Sequence, residues 1–308
     1  MPSETPKTAQ HLNPLVDCPD VEQAIETLVG ALKRHQATIT GVRPADPGRA
    51  AVRDEAMERL EAMRGRPAFY PFMGSGFGRG PLVQLADGSV KWDMITGIGV
   101  HGFGHGDPDL IETALGAALG DTIMQGNLQC NEQAVLFAEE LLAAAKPGTG
   151  LAHCFTCTSG TLANENALKI CMQHRNGAPR VLAFDHNFMG RTLTMSQISE
   201  IPGGRVGLAS NTLVDYLPFF DPQDPEGSLQ RTMDALDLLL WRYPDQHACI
   251  VMELVQGEGG FNVATADYVR PIAERCRAAG IPVWIDEVQS FGRTEQMFRY
   301  QALGLEDC

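Results

Sequence analysis

ACIVMELVQGEGGFNVATADYVRPIAERCRAAGIPVWID, residues 248–286, holds two apolar runs with one helical pattern between them. The first run, ACIVM at 248–252, does not alternate apolar with polar positions, so a strand built from it must be covered on both faces. Farther along, Val269, Ile272, Ala273, Cys276 and Ala279 recur at helical spacing. Thr265 stands where an N-cap belongs and Gly280 where the helix should stop. A strand, a helix and a second strand joined in this way run the two strands parallel, with the helix crossing over one face. The second run ends on Asp286, so a carboxylate is aimed out of the tip of a buried strand.

The same alternation extends back along the chain. LAHCFTC (151–157) precedes the helical GTLANENALKICMQH (160–174), RVLAFD (180–185) leads into a Gly-Arg-Thr turn, and NTLVDYLP (211–218) precedes a helix near 227–242. The expected fold class is α/β, a mostly parallel sheet flanked by helices. Residues 1–65 read as a helical extension, with VEQAIETLVGALKRH (21–35) as its amphipathic segment. Residues 66–109 read as a Gly-rich and aromatic segment of short strands with a hairpin at Asp87-Gly88, and 110–308 as the large domain. GFGRG (76–80) imitates a dinucleotide loop but lacks the preceding buried strand and the following helix that such a loop needs.

With 308 residues and 44% hydrophobic composition the chain can bury a sizeable core. Its 24 Lys plus Arg against 38 Asp plus Glu give a net charge of -14, which argues against a broad nucleic-acid footprint or an anionic membrane surface as partner. No apolar stretch approaches the ~18 residues of a membrane span. The N-terminus lacks a basic segment followed by an apolar one, so a cytoplasmic location is expected. Cys130, Cys171, Cys249 and Cys276 are scattered through apolar segments, as buried reduced thiols are. Cys154 and Cys157 form a CxxC without a second pair, which reads better as two positions on a strand and its exit than as a zinc site.

In a parallel sheet, ligands sit beyond the carboxyl ends of the strands. After LAHCFTC come Ser159, Gly160 and Thr161 at the start of a helix, either a plain N-cap or a cradle whose backbone N–H groups take a phosphate. After RVLAFD come Phe188, able to stack on a flat ring, and Arg191, able to take a carboxylate; packed core and solvated surface are the alternatives. Glu253 and Asp286 tip two strands. They can bind a metal, act as an acid–base pair or stabilise one cationic ring, and no His accompanies them to make zinc credible. A phosphorylated aromatic cation satisfies all of these features at once, and pyridoxal 5'-phosphate is such a molecule.

In its motifs the chain resembles the class III aminotransferases, pyridoxal-phosphate enzymes of fold type I that include ornithine, acetylornithine and 4-aminobutyrate aminotransferases. The resemblance rests on the Gly-Ile-Gly-Val and Gly-His block at 97–105, SGTLANENALK at 159–169, NFMGRT at 187–192, ELVQGEGG at 253–260 and IDEVQSFGRT at 285–294. It implies that Ser159, Gly160 and Thr161 hold the cofactor phosphate, that Phe188 stacks on the ring, that Asp286 meets the pyridine nitrogen and that Gln289 reaches the ring hydroxyl. It further implies that Glu253 supports the strand end, that Arg191 binds a substrate carboxylate, and that Glu258 and Ile98 bound the substrate pocket.

Departures from the family pattern are Leu162, where Glu is usual, Met189, where an aromatic or His is usual, and Ser290, where Thr-Gly is usual. The five lysines, Lys7, Lys33, Lys91, Lys146 and Lys169, match no position of the family's Schiff-base lysine, which is expected beyond Cys308; the chain as written is expected to be inactive. The activity implied for the complete protein is a ping-pong transfer of an amino group from a carboxylate-bearing amino acid or omega-amine to a 2-oxo acid. The complete protein is expected to be a homodimer; TIMQGNLQ (122–129) lies where the resemblance places cross-subunit contacts near the phosphate, and a plain loop between helices is the alternative. An aminomutase or racemase of the same family, and a non-catalytic cofactor-binding or interaction protein, are the alternatives.

Overall fold

The computed structural model describes residues 13–120 and 131–308, so TIMQGNLQ lies outside the described residues. The chain divides into two compact units, the first ending at Val135 and the second running Leu136–Cys308.

In the first unit α1 (Pro19–Gln36) and α2 (Pro47–Arg64) precede a three-stranded antiparallel sheet of β1 (Gly74–Arg79), β2 (Leu82–Leu85) and β3 (Val90–Trp92). The hairpin falls at Asp87-Gly88 because Gly88 takes φ +78 and Asp87 Oδ1 accepts from Ser89 N at 3.0 Å, an Asx turn. Gln36 of α1 donates to the Gly78 and Gly106 carbonyls, which ties the helix to β1. After β3 the chain makes one turn, α3 (Thr96–Gly99), in which Thr96, Gly97 and Ile98 have φ of 52, 61 and 59. Left-handed backbone is costly for Thr and Ile, and Asp93 offsets part of the cost by accepting from Ile95 N and Thr96 N while its other oxygen meets His105. α4 (Pro108–Ala117) follows, capped by Asp107.

α5 (Glu132–Ala145) leads into the second unit, which contains α6 (Gly160–His174), β4 (Arg180–Phe184), α7 (Leu193–Ile198), α8 (Pro202–Arg205), β5 (Leu213–Leu217) and α9 (Pro225–Arg242). Then come β6 (His247–Glu253), the short pair β7 (Val255–Gln256) and β8 (Asn262–Val263), α10 (Ala266–Ala278), β9 (Val283–Asp286) and α11 (Arg299–Ala302). The main sheet has the order β5-β4-β6-β9 and every pairing in it is parallel. All of β6 is buried, as its non-alternating sequence requires. On one face Leu182, Phe184, Ile250 and Met252 pack with Leu236 of α9 and Ile272 of α10. On the other, Val181, Ala183, Cys249 and Val251 pack with Leu168 of α6 and Met195 of α7. Successive strand residues therefore feed opposite cores, at about 1.5–3 kcal/mol for each large side chain fully buried.

The β6–α10–β9 crossover matches the reading of 248–286. Thr265 is extended at the N-cap position, although its side chain makes no cap bond, and Gly280 takes φ +68 just past the helix. LAHCFTC departs from expectation. It forms no strand, and Leu151 and Phe155 are 49% and 59% exposed. A strand exists only by pairing, and among the described residues none pairs with 151–157. β9 is likewise an edge, with β6 on one side and no strand on the other among the described residues.

At the amino end of the sheet Asp215 of β5 accepts two bonds from Arg180, at 2.7 and 2.6 Å, and lies 2.9 Å from His247 Nε2. Burial alone would raise the Asp215 carboxyl, but these partners outweigh it and hold it below the ordinary range.

Candidate active site

At the carboxyl end of the sheet the last paired residues of β6 and β9 are Glu253 and Asp286, side by side. Both are buried, and no Lys or Arg lies within ion-pair reach of either among the described residues. Asp286 Oδ1 accepts from Val288 N at 2.8 Å and Oδ2 from Asn164 Nδ2 at 2.8 Å. Burial pushes its carboxyl up, and those two bonds pull it part of the way back. Glu253 accepts from Phe188 N at 2.9 Å and Gly257 N at 3.2 Å. Burial nevertheless raises it from 4.5 to about 7, and the charges of Asp286 and Glu258 add to the rise.

Glu287 turns away from this pair. Its oxygens accept from Arg299 N, Tyr300 N and Ser290 Oγ at 2.7, 2.8 and 2.7 Å, so the second acid of the Asp-Glu step caps α11.

Three segments converge on Asp286. The first is the start of α6, where Ser159 Oγ accepts from Leu162 N at 3.2 Å, an N-cap. The N–H groups of Gly160 and Thr161 have no protein acceptor among the described residues, so they are free for an anion. The second is the loop after β4. A Cβ on Gly190, at φ +129, would lie 2.3 Å from Thr161 Oγ1, so only glycine lets this loop approach α6 so closely. Thr192 Oγ1 also donates to Glu165 of α6. Phe188 is held at the strand tip through its bond to Glu253, and the Arg191 guanidinium stacks 4.9 Å from the Phe188 ring centroid. Arg191 is exposed and has no ion-pair partner among the described residues. The third segment is 287–290, where Gln289 packs so that a Cβ on Gly257 would lie 2.9 Å from its Oε1.

Contacts therefore link most of the expected site residues at the carboxyl end of the sheet: Ser159, Gly160, Thr161, Phe188, Glu253, Gln289 and Asp286. Glu258 is exposed on the turn after β7, and Ile98 belongs to the left-handed turn of the first unit. The arrangement offers unpaired N–H donors for an anion, an aromatic ring and a buried carboxylate without a cation. Among the described residues no cluster of three or more His, Cys, Asp or Glu gathers to hold a metal ion.

The sequence profile of the family described as aminotransferase class-III matches residues 75–307. The chain belongs to the class III aminotransferase family. Among curated relatives, this class III chain is 31% identical to the acetylornithine aminotransferase of Methanocaldococcus jannaschii over 236 residues, covering 74% of this chain and 54% of that protein. It is also 31% identical to the 2-aminoadipate transaminase of Pseudomonas putida over 243 residues, 74% and 56% of the respective chains. It thus spans about half the length of the curated relatives it matches. Among solved structures, taurine:2-oxoglutarate aminotransferase from Bifidobacterium kashiwanohense, in complex with PLP and glutamate, superposes with a TM-score of 0.71 at 22% identity. That superposition covers 81% of this chain and 59% of the other. A Bacillus anthracis aminotransferase gives 0.71 at 22% identity over 83% and 60%. The second unit has the parallel α/β architecture of fold-type-I transaminases.

Motif reading of this class III chain missed Asn164. Its signal lay in the spacing Asn164, Leu168, Cys171, an amide on the buried stripe of α6. Met189, a departure from the family pattern, is a core residue whose carbonyl accepts from Asn164 at 2.9 Å.

Proposed function

We propose that the protein transfers amino groups from a carboxylate-bearing amino acid or omega-amine to a 2-oxo acid with pyridoxal 5'-phosphate as cofactor. The observation that carries this reading is Asp286, a buried carboxylate with a donor on each oxygen and, among the described residues, no cation, tied through Asn164 to the helix whose first N–H groups are free. The residues fit the cofactor at both ends. Gly160 and Thr161 N–H, with Ser159, would hold its phosphate; Asp286 would face its ring nitrogen; Phe188 would lie against the ring and Gln289 would reach its hydroxyl. When bound, the cofactor supplies an electron sink for the bonds at the substrate's amine-bearing carbon.

This chain's own residues supply binding and electrostatics. Asp286 would keep a positive charge on the ring nitrogen, Glu253 fixes the Phe188 backbone, and Arg191 would take the substrate carboxylate, with Glu258 beside it. None of the five lysines is assigned the proton-transfer role. A homodimer in the cytoplasm is part of the same reading. Among the described residues no helix is long and apolar enough to cross a membrane, and Phe137, Phe155 and Ile170 of the second unit expose large apolar surface suited to burial against a second copy.

Titration of the full chain with pyridoxal phosphate, followed by its absorbance spectrum, tests the proposal. The expected result is a saturable change that Asp286→Ala abolishes, together with a loss of several orders of magnitude in amino transfer for the same variant in the complete protein. A wild-type spectrum identical to that of the free cofactor would overturn it.

A further inference from the structure

Asn164 lies three residues, about 4.5 Å of helix rise, beyond Thr161 on α6. Its side chain is buried and its Nδ2 reaches two acceptors on different segments: Asp286 Oδ2 at 2.8 Å, at the tip of β9, and Met189 O at 2.9 Å, next to Phe188. The Met189 carbonyl can only accept, so the amide nitrogen and not its oxygen must face this pair. With Val288 N at 2.8 Å on the other oxygen, both ends of the Asp286 carboxylate carry a fixed donor. Each oxygen retains a lone pair, and the group cannot rotate without breaking a buried bond.

We propose that Asn164 is the positioning residue that aims Asp286, using the first turn of α6 as a ruler between the anion-binding N–H groups and the carboxylate. This rests on the cofactor reading above. It extends that reading by coupling the two ends of the cofactor site through one amide, and by anchoring the Phe188 loop to the same atom. Loss of the amide would free Asp286 to turn from the ring nitrogen even with Gly160, Thr161 and Phe188 intact. Burial already disfavours the charged carboxylate, and the Asn164 bond is one of the two bonds that oppose this. The ionisable neighbour facing Asp286 is Glu253 on β6, and Asn164 makes no hydrogen bond to it.

The test uses the full chain and pyridoxal phosphate labelled with 15N in the ring, whose nitrogen shift reports protonation directly. In the wild type the bound ring should be protonated. Asn164→Leu removes both bonds, and Asn164→Asp keeps the shape while replacing the donor with an acceptor. Both should lower the protonated fraction and weaken cofactor retention by about ten- to a hundredfold. A variant that binds the cofactor with the wild-type nitrogen shift and affinity overturns the inference. Should either variant fail to fold, the wild type still decides, because the Asn164 side-chain amide resonances should move when cofactor is added, and unmoved resonances in cofactor-loaded protein overturn it. Absence of cofactor binding to the wild type would instead sink the reading on which the inference rests, before any variant is made.

Discussion

Glu253 carries a pH signature of its own. Its carboxyl is raised from 4.5 to about 7 by burial, so between those values the folded chain holds a proton that the unfolded chain has released. Stability from this group is therefore complete below the lower value and is lost as pH rises through the upper one, by at most about 3 kcal/mol. Glu253→Gln keeps an acceptor for one of the two N–H groups and cannot titrate. The difference in urea midpoint between about pH 5 and about pH 8 should shrink in that variant relative to the wild type. An unchanged difference would assign the pH dependence to other groups. Binding a cation between Glu253 and Asp286 should also lower both carboxyls, since opposite charge favours the ionised form.

The step Asp286–Glu287 shows how one element divides its labour. Residues on either side of a strand's end point in opposite directions, so Asp286 turns to Asn164 of α6 while Glu287 accepts from Arg299 N and Tyr300 N at the start of α11. Glu287→Ala should cost about 2 kcal/mol of stability in urea denaturation while leaving the cofactor spectrum unchanged. A spectral loss in that variant would mean that the two acids are not separate in function. The strand–helix–strand units and the positions at their ends were legible in sequence because their pattern is local: an apolar run, a helical stripe, a cap, a glycine. The bond between Asn164 and Asp286 was not, because it joins positions 122 residues apart and no spacing rule says which helix face meets which strand tip. LAHCFTC was misread for a related reason. Its apolar residues suit a strand, but pairing is a property of two segments and the sequence of one does not reveal the other's place.

Across the whole second unit the two ends of the sheet treat acids differently. At the amino end Asp215 has its cation, Arg180, in a two-bond pair with the guanidinium also 3.6 Å from the Tyr243 ring centroid; at the carboxyl end Glu253 and Asp286 have none among the described residues. The first arrangement serves stability; in the function proposed above, the second is the one that takes a ligand. Arg180→Leu should therefore destabilise the fold by about 3 kcal/mol, because Asp215 would keep its burial with only His247 left to it, yet leave cofactor affinity near that of the wild type. Thermal melting and a cofactor titration of the same sample separate the two effects. The side of β9 that pairs with no described strand has a different reach. Its peptide groups recognise main chain alone, so any extended segment could add to the ladder there, whatever its side chains. Selectivity must come from above and below, where Trp284 and Ile285 point into separate cores, so a newcomer would have to present differently shaped residues at odd and even positions.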